Sequence, residues 1–306
     1  MLVTGGAGFV GRHLIKSLSK KGLGVIVLDI AEPDTESVPA RRVYKEDIRN
    51  IEKVQEIIKQ EQIDTCIHLA AKVNVSDSII NPGDTLDVNV KGTKSVLEAC
   101  SRNGVDNFIF SSSAAVYGNP VSLPIAENHP LNPLSPYGMS KVQGEKLVTG
   151  YKVDGKIKKA VSLRFFNIYG EDQNQEYVGV IAKFADRLSK QLPPIIYGNG
   201  KQTRDFISVH DALRAIILAA ESDISGTFNV GTGRAVSLNE LAQRMTKIFG
   251  LDLRPVYAES RKGDILHSCA DMTRTREYLH FEAIEDLDSG LIRMVKGMLQ
   301  NKVNSR

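Results

Sequence analysis

The stretch LVTGGAGFVGRHL, residues 2–14, decides the fold. Leu2, Val3 and Thr4 form a short apolar and β-branched run, Gly5, Gly8 and Gly11 follow it, and apolar residues resume at Phe9 and Val10. That order predicts a strand, a tight turn and the opening of a helix. One glycine permits the turn, one lets backbone N–H groups approach a pyrophosphate, and one lets the helix pack closely on the strand. The helix N-terminus favours the negative charge. Gly5, Gly8, Phe9, Val10 and Gly11 are therefore read as dinucleotide-binding residues. Asp29 closes the next strand, near the roughly 20-residue offset expected of an acid that binds a ribose. A carboxylate there would bond both ribose hydroxyls of NAD and repel the 2′-phosphate of NADP. No arginine immediately follows it, so NAD is the expected cofactor.

Outward from this turn, short β-branched runs alternate with helical patterns. Strands are expected at Met1–Thr4, Gly24–Leu28, Thr65–Leu69, Phe108–Ser111, Ala160–Phe166 and Thr227–Val230. Helices are expected at Phe9–Lys20, Ile51–Glu61, Thr85–Asn103 and Leu287–Leu299, and from Pro136 onward. Such alternation predicts an α/β fold, a doubly wound parallel Rossmann sheet. Beyond Gly170 the rhythm loosens around Pro193 and Pro194, which suggests a smaller α/β lobe made from non-adjacent segments. The expected division gives residues 1–169, with 203–232 returning, to the dinucleotide domain, and 170–202 with 233–306 to the lobe.

Lys and Arg total 39 against 36 Asp and Glu, and the net +3 is spread without a basic tract. Nucleic-acid binding is not expected. The most apolar run, ALRAIILAA at 212–220, contains Arg214, so no membrane span is expected, and Gly5, Gly6 and Gly8 interrupt any signal-peptide core. Cys66, Cys100 and Cys269 are odd in number and lack metal-ligand spacing. They point to a reducing, cytoplasmic setting with no metal.

A second short stretch carries chemistry. SPYGMSK at 135–141 has Ser135 as an N-cap, Pro136 at the first helical position, and Tyr137 one turn before Lys141. Tyr197 and Lys201 in IIYGNGK repeat the interval, but Gly198, Asn199 and Gly200 favour turns over helix there. Only the first pair is expected to have a fixed geometry.

Several motifs occur together: TGGAGFVG at 4–11, HLAA at 68–71, SSSAAVYG at 111–118, YGMSK at 137–141, RFFNIYG at 164–170, RDFISVHD at 204–211 and RKGD at 261–264. In this order the chain resembles the extended short-chain dehydrogenase/reductases that act on nucleotide sugars, and within them the UDP-sugar 4-epimerases. The resemblance covers nearly the whole chain. It implies Tyr137 as general base, Ser113 as hydrogen-bond partner and proton relay, and Lys141 as tuner of the phenol and ribose ligand. A nearby ammonium favours phenolate, which gives the assignment a physical basis. It further implies Asp47 and Ile48 on the adenine side, Leu69, Ala70 and Ala71 as the strip under the adenosine and pyrophosphate, and Asn89 and Ser111 in the cofactor site. Asn167, Tyr197, Arg204, Arg261 and Asp264 are implied nucleotide-sugar ligands, the arginines because a planar fork donates in pairs to diphosphate. His68 beside the strip reads as a packed strand histidine.

Related dehydratases carry an Asp-Glu pair where this sequence has Ala114 and Ala115, and two methyl groups cannot shuttle protons. The resemblance then implies oxidation at C4 and return of the hydride to the opposite face, interconverting UDP-galactose and UDP-glucose with NAD retained. Ser268, where some relatives have a bulky aromatic residue, leaves room for a 2-acetamido group. Glu171 after Gly170 and Lys72 after HLAA depart from the family pattern. A 4-keto reductase or decarboxylase on the same scaffold, and a non-catalytic NAD-sensing protein, are the rival readings. A homodimer through helices at 84–103 and 136–154 is implied, although Val96, Leu97, Val142 and Leu147 could equally face the subunit's own core.

Overall fold

The computed structural model describes residues 1–32, 39–173, 179–260 and 265–304. From the N-terminus come β1 (Leu2–Thr4), α1 (Phe9–Lys20), β2 (Ile26–Asp29), β3 (Arg42–Lys45), α2 (Ile51–Gln60) and β4 (Thr65–His68). Then follow α3 (Val75–Ile80), α4 (Pro82–Leu86), a π-helical turn at Asp87–Lys91, α5 (Gly92–Arg102), β5 (Asn107–Ser113), a 3₁₀ turn at Ala114–Val116, and α6 (Pro136–Val153). The remainder is β6 (Lys159–Phe165), β7 (Asn167–Tyr169), α7 (Val180–Ser189), β8 (Ile195–Tyr197), β9 (Thr203–Ser208), α8 (Val209–Glu221) and β10 (Gly226–Val230). It ends with β11 (Ala235–Ser237), α9 (Leu238–Ile248), β12 (Val256–Ala258), α10 (Thr273–Leu279) and α11 (Leu287–Asn304).

Seven strands form one sheet in the order β10-β6-β5-β4-β1-β2-β3, and every pairing is parallel. This is the doubly wound α/β sheet that the alternation predicts. Its inner strands are buried on both faces, with side chains alternating between two cores. Val3, Val27, Ile67, Ile109 and Val161 join a cluster with α1 and α8, while Leu2, Ile26, Cys66 and Phe108 join one with α2 and α5. Chain progression runs outward in both directions from β1, so a crevice opens at the carboxyl ends of β1 and β4, where such sheets bind ligands.

Two elements differ from the sequence-based expectation. The strand β3, reading Arg-Val-Tyr-Lys, lies at the sheet edge and lacks an apolar run to announce it. The helix expected over 85–103 is interrupted by its π-helical turn, which turns Asn89 inward to 2% exposure. Val96, Leu97 and Val142 lie in the subunit's own core, and Leu147 packs partly against it.

Apart from the seven-stranded sheet there are a three-stranded sheet, β11-β9-β7, and a parallel pair, β12-β8. Helices α7, α9 and α11 cover a third core containing Phe184, Leu241, Met245, Leu291 and Met294. Among the described residues no helix is long and apolar enough to cross a membrane, and no cluster of three His, Cys, Asp or Glu could hold a metal. Cys66, Cys100 and Cys269 are free and buried.

Candidate active site

The first βα turn is shaped around backbone. Gly5 has φ +73°, and a Cβ there would lie 2.6 Å from the Ala70 nitrogen. A Cβ on Gly11 would overlap the Gly5 carbonyl oxygen. Gly8 is the N-cap of α1 and offers no side chain, so the N–H groups of Phe9, Val10 and Gly11 are left for an external anion. Asp29 stands at the end of β2, where one carboxylate oxygen accepts from Ala7 N at 2.9 Å and the other from Ala31 N at 3.0 Å. Cradle, uncapped helix and carboxylate together are groups that could hold NAD.

Around the cradle, Leu69 N donates to Thr4 O at 3.1 Å, which lays the Leu69–Ala71 strip across the end of β1. The Asp47 carboxyl is held below its usual range by the Arg49 guanidinium, which bonds both its oxygens. Ile48 is buried against α5, where a Cβ on Gly92 would collide with it. Asn89 directs its side chain to protein. Its Oδ1 accepts from Lys72 N at 2.7 Å, and its Nδ2 donates to Lys72 O and to Ser140 Oγ, both at 2.9 Å.

Ser113 is the last residue of β5, and its Oγ accepts from Ala115 N at 3.2 Å, capping the 3₁₀ turn that holds Ala114 and Ala115. Facing it, α6 begins as its sequence dictates: Ser135 Oγ accepts from Gly138 N at 3.1 Å and Pro136 occupies the first turn. Gly138 lets the two turns touch, since a Cβ there would sit 2.7 Å from Ala115 O. Sequence reasoning passed over this glycine; the closeness it serves is tertiary.

Tyr137 is half-buried. Burial raises the pKa of its phenol, and the Ser113 hydroxyl opposes the rise. Lys141, 4% exposed, donates from Nζ to Ser111 O at 2.7 Å. Its ammonium lies 5.0 Å from the Phe110 ring centre and 5.8 Å from that of Tyr137. Burial lowers the Lys141 pKa to about 8, with Glu145 opposing. The Lys141 ammonium thus lies near the Tyr137 ring, and its hydrogen bond goes to Ser111, two residues before Ser113 on β5.

Of the implied sugar ligands, Asn167 lies on β7 and Arg204 on the adjacent β9, where Asn167 pairs in register with Phe206. The Arg204 guanidinium donates to Thr203 O at 2.9 Å. Tyr197 ends β8, and its carbonyl accepts from Gln202 Nε2 at 2.6 Å. Arg261 and Asp264 lie outside the described residues. Ser268 is buried, and its N–H donates to Thr203 O at 3.2 Å. A further residue, Asp205, is fully buried beside Arg204 and accepts from Thr232 N, Thr232 Oγ1, Gly233 N and Ala270 N. It ties the segment bearing Ser268 to β9; only its place in RDFISVHD marked it in the sequence.

Known proteins with this arrangement are similar along the whole chain. A Methanocaldococcus jannaschii protein, named provisionally as a UDP-glucose 4-epimerase, is 38% identical, covering 98% of this chain and 99% of its own. The crystal structure of UDP-glucose 4-epimerase from Thermotoga maritima with UDP-glucose superposes with a TM-score of 0.94 at 34% identity, covering 98% of this chain and 99% of that one. The UDP-N-acetylglucosamine 4-epimerase of Methanobrevibacter ruminantium, solved with UDP-N-acetylmuramic acid, gives 0.91 at 32% identity and 98% coverage of both. Residues 1–231 match the model of the NAD-dependent epimerase/dehydratase family, and with the dinucleotide cradle and the Ser113–Tyr137–Lys141 cluster in place, the chain belongs to that family.

Proposed function

We propose that the protein is a UDP-hexose 4-epimerase that interconverts UDP-galactose and UDP-glucose. The observation that carries the reading is the buried Lys141 ammonium, 5.8 Å from the Tyr137 ring centre and bonded to Ser111 O on the strand that ends at Ser113. Gly5, Gly8, Phe9, Val10, Gly11 and Asp29 would hold NAD, which would supply a reversible hydride acceptor for the sugar carbon. Tyr137 accepts the sugar hydroxyl proton and later returns it, Ser113 bonds the same oxygen, and the Lys141 charge favours the phenolate. Ala114 and Ala115 supply no second acid–base pair, which argues against elimination of water. Asn167, Tyr197 and Arg204 are proposed to hold the UDP-sugar, with Arg261 and Asp264. The 170–202 and 233–306 segments are proposed as the substrate lobe.

Ser268 is small and buried, which supports acceptance of the N-acetyl sugars too, as does the likeness to a UDP-N-acetylglucosamine 4-epimerase. A homodimer in the cytoplasm is the accompanying proposal. Sedimentation should then give twice the 33.6 kDa chain mass.

Purified protein incubated with UDP-galactose and no added reductant should form UDP-glucose by NMR, and Tyr137→Phe should lower the rate by about 10²–10⁴-fold. Stoichiometric consumption of reduced cofactor, or release of carbon dioxide, would replace the reading with a reductase or decarboxylase. NAD binding with both sugars unchanged would leave a cofactor-sensing protein.

A further inference from the structure

His68 lies at the end of β4, 1% exposed, between the cofactor strip and the catalytic helix. Its Nδ1 is 2.7 Å from Thr4 Oγ1 and its Nε2 is 3.0 Å from Thr93 Oγ1. Donor inventory fixes the direction of each bond. Thr93 Oγ1 donates its single hydrogen to the Asn89 carbonyl at 2.6 Å, because a carbonyl can only accept. Thr93 must then accept from His68, so Nε2 carries the hydrogen and Nδ1 accepts from Thr4 Oγ1. That hydroxyl accepts in turn from Ala70 N at 3.4 Å.

From Asn89 the path continues. Its Nδ2 donates to Ser140 Oγ, and Ser140 Oγ donates to the Tyr137 carbonyl at 2.7 Å. Every hydroxyl on the route is used once as donor and at least once as acceptor; reversing one bond between Thr4 and the Asn89 carbonyl breaks its neighbours, and beyond it the Asn89 amide is oriented by Lys72. Thr4, Thr93, Asn89 and Ser140 are all buried, at most 2% exposed. Burial and the nearby Lys141 charge push the His68 pKa down to about 3, so the ring stays uncharged as the path requires. Its ring also stacks at 6.0 Å on Phe110, the same ring that Lys141 sits over.

We propose that His68 is a positioning residue: in its Nε2–H tautomer it joins the Leu69–Ala71 strip to the Tyr137 turn through one directed hydrogen-bond path. The path holds the surface meant for the cofactor in register with the base, without His68 touching either reactant. Its kinetic consequence rests on the epimerase reading; the path itself rests on buried geometry. A histidine with a purely structural role would share this tautomer, so the kinetic variants separate positioning from packing.

The test uses the full-length protein as purified with its NAD. In ¹⁵N-histidine-labelled protein, His68 should show a bare Nδ1 and a protonated Nε2 from pH 5 to 9. An Nδ1–H tautomer, or titration near the ordinary value of about 6.5, would overturn the proposal. Thr93→Val removes the hydroxyl while keeping the shape. It should lower kcat about tenfold, equivalent to about 1.4 kcal/mol, with KM for the UDP-sugar within about twofold. His68→Gln, which keeps a donor near the Nε2 position, should recover part of the kcat that His68→Leu loses. An unchanged kcat in folded Thr93→Val overturns the inference. No turnover in the wild type would sink the epimerase reading instead, and the tautomer would still decide the path.

Discussion

Tyr137 sits where burial resists its ionisation, and the buried ammonium of Lys141 is itself weakened by desolvation. The cost is open to measurement. The Lys141 pKa is about 8 in the fold, against about 10.4 for an unperturbed lysine. Between these values the unfolded chain holds a proton that the folded chain has released, so this group's contribution makes stability rise with pH across that window. Below about 8 both states are protonated and the full penalty stands. Relative to Lys141→Met, the wild type should gain ~3 kcal/mol between pH 8 and 10.5, by urea denaturation at each pH. A constant difference would refute the shift. Lys141→Met should also be the more stable protein at pH 7 while losing epimerase activity, the expected trade where function requires a buried charge.

Elements meet closely at three places where a glycine or an ion pair permits it. The 3₁₀ turn and the start of α6 touch only because Gly138 lacks a side chain, so Gly138→Ala should push Tyr137 from Ser113. A kcat loss of about 10²-fold with little change in substrate KM is the expected kinetic outcome. In the dinucleotide turn, Gly11→Ala should weaken NAD retention, whereas Gly83→Ala, where added bulk meets nothing within 4 Å, should not. Deeper down, α6 is joined to β6 by Glu145 and Arg164, a bidentate pair with side chains 7% and 6% exposed. Arg164 also donates to Tyr117 OH at 2.8 Å. Glu145→Gln strands the guanidinium charge and should cost about 3–5 kcal/mol by chemical denaturation.

Across the whole molecule α1, α8 and α11 meet at Glu171, one of the residues that depart from the pattern of the family it resembles. His13 of α1 bonds its carbonyl at 3.0 Å, His210 of α8 approaches its carboxylate at 3.3 Å, and Arg293 of α11 donates to it at 2.5 Å. The hydrogen bonds from His210 and Arg293 outweigh burial and hold the Glu171 carboxyl near 2, well below the usual carboxylate range. Its stabilisation is therefore present above the unfolded value of about 4.3 and fades as pH falls towards 2. The stability gap between wild type and Glu171→Gln should be about 2 kcal/mol at pH 6 and should narrow by pH 3. A gap that persists at pH 3 would mean that the carboxylate charge is not what joins these helices. Helix α11 adds apolar weight to the same junction: Leu291 is fully buried in the third core, and Leu291→Ala should cost about 2–5 kcal/mol.

What the sequence determined by itself is what neighbours along the chain decide. The glycine turn, the Ser135–Pro136 helix start and the strand–helix alternation were legible because each depends on a few adjacent residues. Tyr137 and Lys141 were legible for the same reason, one helical turn apart. The glycine-threaded copy at 197–201 is no helical pair: Tyr197 ends a strand and Gly198 and Gly200 take positive φ. Only the tertiary structure decided the edge strand β3, the π-helical turn and the work of His68, Gly138 and Asp205. Their partners lie 64 residues away for His68 with Thr4, 51 for Asn89 with Ser140 and 65 for Asp205 with Ala270. No local pattern records which distant donor a buried acceptor will meet; that is set when the sheet closes and each enclosed polar atom must find a partner.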